Sequence, residues 1–121
     1  MHVIQAEETP KFEVPGIEFT GMAAPSRGSK ELCTWRITVA PHRASDDPHV
    51  LDRDEIFMLT SGRLEISGRV VRAGDTVVIP AGEPITVANP NDEPAEAFVA
   101  IAAGFAAKMA DGPAVRPPWA Q

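Results

Sequence analysis

Cysteine and positive charge are both scarce in this chain, and each shortage removes a class of explanation. Cys33 is the one cysteine among 121 residues, so no internal disulfide can form. That usage fits a reducing compartment, and we expect a cytoplasmic protein. Eleven Lys and Arg stand against 17 Asp and Glu, giving a net charge of -6 and a pI near 4.9. So acidic a chain lacks the surface that releases counterions from a phosphate backbone, and no nucleic-acid partner is expected. No apolar run approaches the roughly 20 residues of a membrane-spanning helix. Nor does a basic region lead into an apolar stretch at Met1-His2-Val3-Ile4-Gln5. Neither a membrane partner nor a secretory signal is expected.

What the chain has in quantity is punctuation. Twelve prolines and nine glycines leave apolar runs too brief for an ordinary helix. The pattern predicts an all-β fold with strands at 32–39, 55–60, 63–67, 69–72, 76–79, 85–88 and 95–102, a sandwich or barrel. Turn chemistry sits between them at Ser61-Gly62, Ser67-Gly68, Ala73-Gly74-Asp75, Pro80-Ala81-Gly82 and Asn89-Pro90-Asn91-Asp92. One domain over 1–121 is expected, with its core at 32–102 and arms at 1–31 and 103–121. A helical turn is expected at 105–110. Trp119, after Pro117-Pro118, reads as an anchor pinning the tail to the barrel or to a neighbouring subunit, unless the tail is disordered. Cys33, Trp35, Ile37 and Val39 alternate as an apolar stripe lining the barrel, where Trp35 could stack on a flat ligand. Arg36 falls on the opposite face of that strand.

One spacing is more specific. From Gly74 the chain runs five residues to Pro80, one more to Gly82, two to Ile85 and three to Asn89. Upstream, His49 precedes Leu51 and stands six residues before Glu55, which is followed by six residues and then Gly62. These resemble the two cupin motifs, Gly-x5-Pro-x-Gly-x2-His-x3-Asn and His-x-His-x3-Glu-x6-Gly. Ile85 and Leu51 replace a histidine in each, and Ala40-Pro41-His42 with Arg43 replaces the usual opening turn and glycine. The resemblance implies a double-stranded β-helix, the cupin jelly-roll barrel, and a homodimer, with 11–19 as a strand that subunits exchange. It also implies a degenerate metal site. Where metal-binding cupins converge three histidines and a glutamate, His49 and Glu55 alone remain. A third donor could come from His42, Asp46, Asp47, Asp52 or His2, so the expectation is no cofactor, with one divalent transition metal on His49 and Glu55 as the alternative.

Alternation puts Glu55, Phe57 and Leu59 on one strand face, and the resemblance turns that face inward. A carboxyl surrounded by Leu51, Phe57 and Ile85 has its pKa raised by desolvation. His49, on the same face as Leu51, is expected to hydrogen-bond Glu55, either to move a proton with it or as a satisfied pair that fixes the barrel. Three functions follow. The first is a metal-independent isomerase, cyclase or lyase acting on a small molecule through Glu55 and His49, with Trp35, Ile37, Leu51, Phe57 and Ile85 around the ligand. The second is a non-catalytic ligand-binding module, and the third a divergent metal-dependent oxygenase or isomerase.

Overall fold

Between its prolines and glycines the backbone is extended almost throughout. The structure, a computed structural model, describes residues 1–45, 47–109 and 111–121. Its strands are β1 (Lys11–Val14), β2 (Ile17–Gly21), β3 (Leu32–Val39), β4 (Arg43–Ala44), β5 (His49–Leu51), β6 (Glu55–Ser61), β7 (Arg63–Ile66), β8 (Arg69–Arg72), β9 (Thr76–Ile79), β10 (Val87–Asn89), β11 (Ala95–Ala102), β12 (Ala107–Met109) and β13 (Ala114–Val115). All pair antiparallel. One sheet runs β1-β2-β3-β11-β6-β9, a second β4-β10-β7-β8, and a third β13-β12-β5. This is the all-β jelly roll that the motif resemblance implies. No helix among the described residues is long and apolar enough to cross a membrane.

The core follows from period-two alternation. In β3, Cys33, Trp35, Ile37 and Val39 are buried while their neighbours are not, and β11 alternates in step. Register sets Ile37 opposite Ala97 and Val99 opposite both Trp35 and Phe57. Each large apolar side chain so buried contributes roughly 1.5–3 kcal/mol. The corners are equally specific. Gly62 has φ 73, and a side chain there would meet the Pro94 carbonyl, so the β6 to β7 turn requires glycine. Ser67 and Gly68, with φ 49 and 80, form the left-handed pair of a two-residue hairpin.

Strands 32–39, 69–72, 76–79 and 95–102 match the sequence reading residue for residue. Strand 63–67 stops at Ile66 because Ser67 has entered the turn. The expected strand 85–88 is displaced to Val87–Asn89, leaving Ile85 as an isolated bridge to His49. The arms depart further. β1 and β2, which include the segment expected to be exchanged between subunits, form a hairpin that pairs with β3 of the same chain. In place of a helical turn at 105–110, β12 pairs with β5, because the polar edge of β5 needs a ladder partner. Asp46 and Ala110 lie outside the described residues.

The tail does anchor itself to its own barrel. The indole of Trp119 stacks on Phe19 with centroids 3.9 Å apart and planes 9° from parallel. Arg27 donates to the Trp119 carbonyl at 3.0 Å, and the buried Cys33 thiol donates to Ala120 at 3.3 Å.

Candidate functional site

The barrel holds a cavity of about 580 Å³. Six of the seven residues expected there line it: Trp35 and Ile37 from β3, His49 and Leu51 from β5, Glu55 and Phe57 from β6. Ile85, the seventh, is excluded. It faces the same way as His49 but is 1 % exposed, packed into the core beside the cavity rather than in its wall.

Glu55 is the unusual member. It is 3 % exposed, and its Oε2 has no hydrogen-bond partner among the described residues. Desolvation raises its carboxyl pKa from the ordinary 4.5 to about 8. At neutral pH the group is mostly protonated, and an acid titrating near working pH can both give and take a proton. Burial also lowers the pKa of His49. The expected hydrogen bond between the two is not formed among the described residues. β5 belongs to the sheet of β12 and β13 and β6 to the six-stranded sheet, so the two side chains reach the cavity from different walls.

The donor set of the described residues does not suit a transition metal. Among the described residues no three His, Cys, Asp or Glu side chains come together. Three of the five candidate third donors are engaged elsewhere: His42 Nε2 lies 2.7 Å from Asp92, Asp52 accepts the Ala106 N–H at 2.9 Å, and the His2 ring lies against Gly28. Asp47 is exposed at the cavity rim. Two donors flanked by Leu51 and Ile85 fall short of the three or four protein ligands such an ion takes. Asn89, the last residue of the second motif, is structural. Fully buried, it donates to Val39 and Glu93 and accepts from the backbone and side chain of Asn91.

Sequence reasoning missed part of the cavity wall. Phe19 comes from the amino-terminal hairpin, and Phe105, Arg116 and Trp119 from the carboxy-terminal segment, all outside the motif region. The readable signal was Trp119 after two prolines, which marked an anchor but not a wall. Arg43 also lines the rim, its stem crossing the Gly16 turn so closely that only glycine fits beneath it.

The same architecture recurs in solved structures. A sugar phosphate isomerase of the cupin superfamily from Silicibacter pomeroyi shares 22% identity over 81% of this chain and 68% of its own, with a TM-score of 0.66. The polyketide cyclase RemF from Streptomyces resistomycificus shares 14% identity over 97% of this chain and 87% of its own, with a TM-score of 0.74. An oxalate oxidase shares 27% identity over 74% of this chain and 54% of its own, with a TM-score of 0.64. No curated protein matches. The Cupin domain family model matches residues 35–101, more than half of the sequence, and the chain therefore belongs to the cupin family.

Proposed function

We propose that this cupin is a metal-independent enzyme of the isomerase, cyclase or lyase type, in which Glu55 transfers a proton to or from a small molecule held in the barrel. The observation that carries this reading is the Glu55 carboxyl: buried, without a partner at Oε2, and set in the wall of a cavity large enough for an organic ligand. Desolvation holds its pKa near 8, where a general acid or base is effective at physiological pH. His49 lines the same cavity without bonding Glu55, so it serves as a second, separately acting group toward the ligand rather than as a relay. An isomerase and a cyclase among the structural neighbours are compatible with this chemistry, since both kinds of reaction move protons on carbon or oxygen.

The test is deuterium wash-out from the carbon beside the carbonyl of 1-tetralone and related cyclic ketones, using protein treated with EDTA. The wild type should accelerate exchange, and Glu55→Gln should lose on the order of 100-fold or more of that rate. Wild type no faster than Glu55→Gln on every ketone that binds would replace this reading with that of a non-catalytic binding module.

A further inference from the structure

Aromatic residues are few here, and they are not scattered. The chain has five Phe, two Trp and no Tyr, and Phe19, Trp35, Phe57, Phe105 and Trp119 all line this cavity. Their rings are ordered. Phe19 and Trp119 stack 3.9 Å apart, Trp35 and Phe105 stack at 5.8 Å and 25°, and the two pairs meet where Trp119 stands edge-on to Trp35 at 6.4 Å and 66°. Each stacked pair covers one face of each of its rings, so what the cavity offers to whatever enters is the remaining ring faces and edges, a lining that favours a flat π-system over a puckered or heavily hydroxylated molecule. Two buried side-chain polar atoms among the described residues lack partners, Glu55 Oε2 and Trp119 Nε1, and both belong to residues of this wall. Burying a polar atom without a partner is costly, and a ligand that offers one recovers the loss.

We propose, resting on the function assigned to this cavity above, that its ligand is a flat, uncharged aromatic molecule carrying oxygen acceptors, with Trp119 as the residue that selects for flatness. The indole N–H can only donate, so it calls for a carbonyl or hydroxyl oxygen on the ligand. Glu55 acts as donor in its protonated form and takes a second oxygen. A cationic ligand would instead pair with the ionised carboxylate and abolish the acid–base behaviour. A phosphorylated sugar would have to bury its charge against ring faces, since the arginines of the wall, Arg43 and Arg116, are exposed rather than deep.

The chain supplies its own reporter, because both tryptophans line the cavity and there is no tyrosine to obscure them. Calorimetry and tryptophan fluorescence should be run with 1-tetralone and 1-decalone, which share a skeleton and a carbonyl but differ in the aromatic ring, and with glucose 6-phosphate and benzyltrimethylammonium. The aromatic ketone should bind at least about tenfold more tightly than the saturated one. Trp119→Ala should remove most of that preference, and Trp119→Phe, which keeps a ring face and loses only the N–H, should retain the preference while weakening ketone binding several-fold. Circular dichroism identifies variants that keep the fold. Equal binding of the two ketones, tighter binding of the sugar phosphate or the ammonium ion, or an unchanged preference in folded Trp119→Ala would overturn the proposal. The two ideas fail separately. Tight 1-tetralone binding without exchange sinks only the acid–base reading, while exchange on ketones that bind no better for being aromatic sinks only the ligand class.

Discussion

His49 and Ile85 face each other across an isolated antiparallel bridge in which each backbone N–H donates to the other's carbonyl, at 3.1 and 2.8 Å. Residues exchanging both bonds project their side chains to the same face, so a donor and a hydrocarbon lie side by side where the family motifs place two histidines. Leu51, two positions after His49, shares that face.

That pairing gives the metal prediction. Protein prepared without added metal should contain well under one equivalent of any transition ion by elemental analysis. The variant Leu51→His/Ile85→His, which restores both donors beside His49 and Glu55, should gain zinc binding measurable by calorimetry. A full equivalent in the wild type, lost in His49→Ala, would show that another donor completes the site.

The bridge also marks how far the sequence could be read. Strand alternation and the Gly, Pro and Asn spacing are local, so β3, β8, β9 and β11 and the inward Glu55 were legible residue by residue. Ile85 was legible as buried but not as excluded from the cavity, because alternation states which face a side chain takes and not how deep its neighbours stand. The expected His49–Glu55 bond failed for a related reason. Both residues point inward, but their strands belong to different sheets, and no sequence pattern gives the width of the space between. Phe19 and Trp119 meet only through long-range pairing of the chain's two ends.

Asn89 supplies a stability prediction. It is fully buried, and its amide donates to the Val39 and Glu93 carbonyls while its oxygen accepts from Asn91. Asn89→Ala would leave buried backbone groups without partners and should cost about 3 kcal/mol in urea unfolding. A loss below about 1 kcal/mol would mean that water replaces the amide.

The outer face of the six-stranded sheet leads to an assembly prediction. Ile56 sits opposite Val78 and Ala100, and Met58 opposite Phe98, with Val78 60% and Met58 38% exposed. An apolar row of this kind at a sheet edge favours a two-fold homodimer. Light scattering should give twice 12.9 kDa, with Val78→Asp/Met58→Asp returning the mass to that of one chain. A wild-type mass near 12.9 kDa at micromolar concentration would rule the dimer out.

The last prediction concerns pH. Glu55 has a carboxyl pKa raised by burial from 4.5 to about 8, so between these values the folded chain holds a proton that the unfolded chain has released. Stability from this group is therefore fully present below pH 4.5 and is lost progressively as pH climbs to about 8, a change on the order of 5 kcal/mol at most. His49 acts with the opposite slope. Its lowered pKa means that the unfolded chain binds the proton first, so its contribution is present above pH 6.5 and lost as pH falls. The other ionisable residues of the cavity wall, His42, Arg43, Asp47 and Arg116, lie toward its rim and are common to wild type and variants. Urea unfolding from pH 4 to 9 should show Glu55→Gln losing the alkaline decline while keeping the acid one, and His49→Gln doing the reverse. Carboxyl-labelled NMR reads the same quantity directly. A Glu55 pKa at or below 4 would show that a positive charge reaches the carboxyl, and an alkaline decline that survives in Glu55→Gln would show that another group titrates there; either would remove the basis for the role of Glu55 in proton transfer.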